Sequence, residues 1–275
     1  LKRLFAHAAA MSHIEPIVKL ATIDLSFHHA AAGIVRAVMA RHGIRVEEIR
    51  RPHEAAFALL KSGEADMLCS AWLPGSHGVY FDSIAYEFDP LCVLYTPYAL
   101  WGVPDYVPAD AVSSVADLTR PDVAARMTKR IQGIGPGAGI SRFSREIVDA
   151  YALEHYGYRF ENGTLEQCVA AFEDAVRERR WCVVPLWQPQ YLHWQHAIRE
   201  LHEPSGLLRG RDAATLVLRK STRDTLPSAA IAALRELAPG NAEITRLDHL
   251  ISCEGWAPEQ AGERYLRERG GDRTH

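Results

Sequence analysis

The 275-residue sequence has no apolar run long enough to cross a bilayer, no low-complexity segment and no internal repeat. It also lacks an excess of positive charge. The 31 Lys and Arg stand against 34 Asp and Glu, a formal net charge of -3, which argues against nucleic acid as the main partner. Short clusters such as Arg177-Glu178-Arg179-Arg180 read as solvated helix ends. The five cysteines (Cys69, Cys92, Cys168, Cys182 and Cys253) are odd in number and form no C-x-x-C pair, which disfavours a disulfide framework and a zinc site. Cys69 and Cys182 lie in apolar strand-like runs and read as small buried residues. No cofactor, metal or catalytic set is expected.

Near the amino end, Leu1-Lys2-Arg3-Leu4-Phe5-Ala6-His7-Ala8 has a basic pair and an Ala-x-Ala without an apolar segment between them. It fits either the trimmed remnant of a secretory signal or a helical extension. Hydrophobic content of 48% and charged content of 24% are those of a globular protein, and the length suits two domains.

Strands are predicted at 17–23, 44–49 and 66–70, alternating with helices at 29–41 and 54–61; Gly43 is placed to stop the first helix. Such alternation signals a parallel sheet covered by helices. Further strands are predicted at 91–95 and 99–103, followed by the proline-punctuated Pro104-Asp105-Tyr106-Val107-Pro108, read as the crossing into a second lobe. There the pattern gives strands at 130–134 and 181–186 and helices at 140–152 and 165–179. A strand at 213–218 returns to the first lobe, and helices at 228–237, 243–252 and 258–267 finish the chain. The expected architecture is α/β with two lobes: residues 1–103 plus 214–275, and residues 104–213. Each lobe is a mostly parallel sheet flanked by helices, with a ligand cleft between lobes. Hinges are expected near Leu100 to Pro104 and Arg211 to Leu216.

Three segments carry chemistry. In Ala71-Trp72-Leu73-Pro74-Gly75-Ser76-His77 an indole stands at the carboxyl end of a strand, where open α/β folds bind ligands. Gly133-Ile134-Gly135-Pro136-Gly137-Ala138-Gly139-Ile140 runs from a strand into a helix, whose first N–H groups suit a carboxylate or phosphate. As G-x-G-x-x-A it also partly matches a dinucleotide fingerprint with Glu161 as the ribose acid, although Pro136 and the mid-chain position count against that. In Val183-Val184-Pro185-Leu186-Trp187-Gln188-Pro189-Gln190-Tyr191 a second strand ends in Trp-x-Pro. Two such indoles facing across a cleft form an aromatic cage for an ammonium group, each good cation–π contact contributing about 2 kcal/mol or more.

Together these segments resemble the glycine betaine/choline/proline betaine substrate-binding proteins of ABC transporters, the OpuAC-like and ProX-like group. The family's G-x-x-D-x-x-x-x-A-W-L-P-x-x-H run stands here as Gly63 to His77, and its G-I-x-P-G-x-G-I run as Gly133 to Ile140. Its G-W-x-P-x-W turn corresponds to Leu186 to Tyr191, and Leu218-Arg219-Lys220 is similar to its return crossing. The likeness covers roughly Ile17 to Leu237 in the same order.

The resemblance implies a type II periplasmic-binding-protein fold and no enzyme activity. It implies an extracytoplasmic, periplasmic receptor, monomeric, that delivers a small zwitterion or organic cation to a membrane permease. It makes Trp72 and Trp187 two walls of the cage and gives the ligand carboxylate to His77 and the N–H groups of Gly139 and Ile140. The family expects another aromatic, usually Trp, just after the first strand, where this sequence has Leu25. Phe27 is the candidate replacement; Asp24 could offer a carboxylate to a primary amine or hydroxylated cation, and His28 a hydrogen bond. Tyr191 stands where the family has a second late aromatic. Two alternatives remain: a sensing or scavenging module of the same fold, and an enzyme using the glycine run with a nucleotide or Cys182 with a histidine.

Overall fold

Near-continuous apolar runs at Ile17–Ile23 and Met67–Leu73 place two strands at the centre of a sheet, where both faces are covered. The computed structural model describes residues 16–271; the segment Leu1 to Ala8 considered above lies outside the described residues. From the amino end come β1 (Ile17–Ile23), α1 (Ser26–Arg41), β2 (Arg45–Arg51), α2 (His53–Ser62), β3 (Met67–Leu73), the single turn α3 (Gly78–Phe81) and β4 (Phe88–Tyr95). The middle of the chain forms β5 (Tyr98–Pro104), α4 (Pro121–Arg126), β6 (Arg130–Gln132), α5 (Gly139–Ala150), β7 (Arg159–Glu161), α6 (Leu165–Arg177), β8 (Val184–Gln188), α7 (Leu192–Gln195) and β9 (Ile198–Glu200). It ends in β10 (Ala213–Arg219), α8 (Lys220–Arg223), α9 (Ser228–Arg235), α10 (Gly240–Glu254) and α11 (Pro258–Gly271).

The first sheet has the order β2-β1-β3-β10-β4. β1 pairs in parallel with β2 and β3, while β10 runs antiparallel to β3 and β4. Charged β2, with its Arg and Glu side chains, forms an edge, where water covers unpaired backbone groups. The second lobe differs from the mostly parallel sheet expected. Its principal sheet, β8-β5-β9, is antiparallel throughout, and parallel pairing among the described residues is confined to the short pair β6–β7 and two isolated bridges. Neither β7 nor β9, three residues each, is long enough to leave a periodic signal.

The first crossing also moves. β5 pairs with β8 and β9 and so belongs to the second sheet, which puts residues 98–103 beyond the first lobe and Leu100 to Pro104 inside a strand. The chain leaves the first sheet between Tyr95 and Tyr98. It returns beside its exit: Tyr98 bridges Arg211, the Asp212 N–H donates to the Pro97 carbonyl at 2.8 Å, and Ala214 pairs with Tyr95.

Two helices place the residues of the cleft. α1 starts at Ser26, three residues earlier than its period suggests, which puts Phe27 and His28 in its first turn, both buried. Its Gly33 lies against α11: a Cβ there would fall 2.1 Å from the Pro258 carbonyl oxygen, and one on Gly262 would fall 2.2 Å from that of Gly33. The crossing therefore admits only glycine at both positions. In the second lobe, α5 buries Ile140, Phe143 and Ile147 on one face and is fixed to β5 by the Trp101 indole N–H donating to Ser144 Oγ at 2.9 Å.

Gly262→Ala should lower the unfolding free energy by about 1–3 kcal/mol, because the added methyl forces α1 and α11 apart. Urea unfolding measures this; an unchanged midpoint contradicts such close packing.

Candidate ligand-binding site

The turn that follows β3 is closed by a reciprocal pair of hydrogen bonds. The Trp72 N–H donates to His77 Nδ1 at 2.9 Å, and the His77 N–H donates to the Trp72 carbonyl at 2.8 Å. Asp212, on the returning crossing, accepts from the N–H groups of Gly75 (2.6 Å) and Ser76 (3.0 Å). The Trp72 side chain, 7% exposed, donates its Nε1–H to the Tyr95 hydroxyl at 3.0 Å, and that hydroxyl also meets Ser70 Oγ at 3.0 Å. The indole is thus held from both ends.

Because Nδ1 of His77 accepts a backbone N–H, the neutral ring carries its proton on Nε2. His28 repeats the arrangement through a long 3.4 Å bond from the Ser70 N–H to its Nδ1. Burial, then the proximity of other histidines and, for His77, of Arg142, hold both rings well below the usual histidine range. His53, at the start of α2, is pushed down to about 4, chiefly by burial and then by Arg142. All three are therefore neutral donors at physiological pH.

Phe27 stands against both indoles, its ring centroid 5.3 Å from Trp72 and 5.6 Å from Trp187. Trp187 is 2% exposed, and its Nε1 is buried without a hydrogen-bond partner among the described residues. Its turn is fixed by His193, whose Nε2 lies 3.0 Å from the Trp187 carbonyl oxygen, and by Asp248, which accepts the Tyr191 N–H at 2.9 Å.

The glycine run ends opposite the first turn. Gly139 opens α5, and a Cβ there would fall 2.9 Å from Ser76 Cβ and Oγ, so only glycine allows this approach. Arg142 donates to the carbonyls of Ser76 and Gly137, each at 2.5 Å, and the Tyr80 hydroxyl donates to the Gly137 carbonyl at 2.9 Å. The lobes are closed on each other along this seam.

Leu25, Phe27, His28, Trp72, His77, Gly139, Ile140 and Trp187 line one inner cavity of about 20 Å³, room for about one water. His53 and Ser76 line it too, and no carboxylate does. The ring distances are those of direct aromatic contact, so a trimethylammonium group enters only if Phe27 and the indoles separate. Leu25 and His53 also border an outer cavity of about 540 Å³ that contains Asp24, Glu166 and Tyr191. Asp24 has 59% of its side chain exposed and lies 3.0 Å from His29 Nε2, so it stands at the mouth, as does Tyr191.

Sequence reasoning missed His53, Tyr95, Ser76 and Asp248. Ser76 lies inside the turn motif, and Tyr95 at a strand end carried the same positional signal as Trp72. His53 and Asp248 sit in ordinary helical patterns and carried none. Cys182 is buried, and burial pushes its thiol up to about 12, away from a nucleophilic thiolate.

Residues 16–268 match the family described as the substrate-binding domain of the ABC-type glycine betaine transport system, OpuAC. The chain belongs to this family. Its members are extracytoplasmic substrate-binding proteins of ABC importers rather than enzymes. Among solved structures, lactococcal OpuAC in its closed form with glycine betaine is 22% identical, with a TM-score of 0.81 over 94% of this chain and 97% of that one. The glycine betaine/L-proline-binding protein ProX of Borrelia burgdorferi is 20% identical, with a TM-score of 0.80 over 92% and 93%. An ABC-transporter choline-binding protein in complex with choline is 14% identical, with a TM-score of 0.78 over 93% and 89%. These likenesses establish the two-lobed fold. A comparison with curated protein sequences finds no match. No helix among the described residues is long and apolar enough to cross a membrane.

The depressed histidines of this OpuAC-family site set a pH dependence. His53 has a folded-state value of about 4 against 6.5 unfolded, so the unfolded chain takes up a proton first as pH falls. Stability is therefore lost progressively below 6.5 and levels off near 4. His53→Gln should unfold with a flatter pH dependence over that window, by about 1–2 kcal/mol at pH 5. Coincident stability-versus-pH curves for the two proteins contradict the assignment.

Proposed function

We propose that this chain is the extracytoplasmic, periplasmic receptor of an ABC importer and binds a betaine- or choline-like solute between its lobes for delivery to a membrane permease. The observation that carries the reading is the convergence of Phe27, Trp72 and Trp187 on one cavity with neutral His77 and the open N-terminus of α5. Three ring faces suit an ammonium group carrying methyl groups, which an ion pair would serve poorly because methylation removes its N–H donors. The Nε2–H of His77 and the N–H groups of Gly139 and Ile140 supply donors for a carboxylate. Phe27 occupies the role of the aromatic absent at Leu25, and the unpaired Nε1–H of Trp187 and the Nε2–H of His28 extend the donor set. The glycine betaine complex of lactococcal OpuAC and the choline complex of the choline-binding protein belong to the same two-lobed fold.

Binding in this reading is a hinge motion. The crossings lie side by side at Tyr95–Tyr98 and Arg211–Ala214, so a small rotation there separates the Trp72 turn from α5 and the Trp187 turn. Contacts of the solute with both lobes then favour the closed form.

Glycine betaine, choline, proline betaine and carnitine form the test panel for calorimetry. At least one should bind with quenching of Trp fluorescence. Trp72→Ala and Trp187→Ala should each weaken it by about 30-fold or more, the loss of one good cation–π contact. Equal affinity in both variants and the parent protein would falsify the cage.

A further inference from the structure

Asp248 is a fully buried carboxyl on α10, a helix that packs on α1 and β4 of the first lobe. Its Oδ2 accepts the Tyr191 N–H at 2.9 Å, and its Oδ1 accepts from Ser252 Oγ at 3.1 Å. Tyr191 ends the turn that presents Trp187, so the carboxyl reaches from one lobe to the ligand turn of the other. The same seam carries the Trp194 ring stacked on His249 at 5.8 Å and Gln195 Nε2 donating to Cys253 Sγ at 3.3 Å.

We propose that Asp248 is a proton-linked positioning residue, whose protonated carboxyl holds the Trp187–Tyr191 turn against α10 and couples lobe closure to uptake of one proton. This rests on the solute-binding reading above. The titratable groups that act on Asp248 are the Tyr95 phenol of β4, the Tyr191 phenol of the opposing turn and Cys253 of its own helix. Burial pushes all three up, so they are neutral near pH 7. The Ser26 hydroxyl of α1 is the other polar neighbour, and among the described residues no cation acts on the buried carboxyl. Burial accordingly raises the Asp248 carboxyl to about 7 against the hydrogen bonds from Tyr191 and Ser252 that lower it.

When the turn leaves α10, water reaches the carboxyl and returns it toward its ordinary value of 3.8. The closed form then binds a proton more tightly than the open form. As pH falls through about 7 toward 4, closure takes up a proton from solvent and becomes easier; above about 7 it must bury the charge. The proton resides on Oδ1, which can donate to the Ser252 oxygen, while Oδ2 continues to accept the Tyr191 N–H. Asp248→Asn keeps an acceptor for that N–H and cannot ionise.

The test is calorimetry of the full chain with the tightest-binding solute of the panel between pH 5 and 8, in buffers of differing ionisation enthalpy. Relative to Asp248→Asn, the parent protein should gain affinity by at most about tenfold per unit as pH falls below 7 and take up close to one more proton per solute near pH 5.5. Asp248→Asn should gain no affinity as pH falls, the cleft histidines alone then acting on closure, and should bind more tightly than the parent at pH 8, whereas Asp248→Ala, which loses the acceptor, should bind more weakly throughout. The same pH profile in the parent and Asp248→Asn overturns the proposal. If no solute binds the parent, the solute reading fails. X-ray scattering of the ligand-free proteins then decides on Asp248 separately. A radius of gyration that falls from pH 8 to 5 in the parent but not in Asp248→Asn supports it, and identical behaviour overturns it.

Discussion

The site depends on the two hydrogen bonds that Trp72 and His77 exchange across the end of β3. A protonated imidazole could not accept the Trp72 N–H, so the turn exists in this form only while His77 is neutral, and burial ensures that it is. One pair of bonds thereby sets the position of the indole and the tautomer of the neighbouring donor. Asp212 adds the returning crossing to the same turn, and the absence of a Cβ on Gly139 lets α5 rest on Ser76. Indole, imidazole, returning crossing and helix N-terminus all meet at the six residues from Trp72 to His77.

The two Trp-x-Pro turns are similar in sequence and unequal in chemistry. The Trp72 indole N–H is satisfied by Tyr95, which leaves only its ring face free; the Trp187 N–H is buried and has no partner among the described residues. The lining of the inner cavity offers donors and ring faces and no carboxylate, so under the proposed reading it would meet a cation through π faces and an anion through N–H groups. The carboxylates Asp24 and Glu166 lie instead at the mouth, where water covers their charge and their field attracts cations without the cost of burial.

Much of this arrangement was legible in the sequence because it is local. β1, β3 and β10 of the first lobe are apolar runs, and the Trp72 turn is punctuated by Pro74 and Gly75. The second lobe was less legible. Nothing in the apolar pattern of Tyr98 to Pro104 distinguishes a strand closing the first sheet from one opening the second, and only pairing with β8 decides it. Phe27 was a plausible substitute for the aromatic missing at Leu25, but its place between the indoles follows from where α1 begins, and α1 has no side-chain cap to mark that start. Asp248 was silent for a different reason: its partner, the Tyr191 N–H, is a backbone group 57 residues away.

The central claim is that one solute sits between the lobes with its cationic group enclosed by Phe27, Trp72 and Trp187. A crystal structure of the chain grown with its tightest-binding panel solute tests this most directly. The account predicts the quaternary nitrogen within about 6 Å of all three ring centroids, with the solute's acceptor group against His77 and the first turn of α5. A solute bound elsewhere, or one whose cationic group points out toward Asp24, would contradict it.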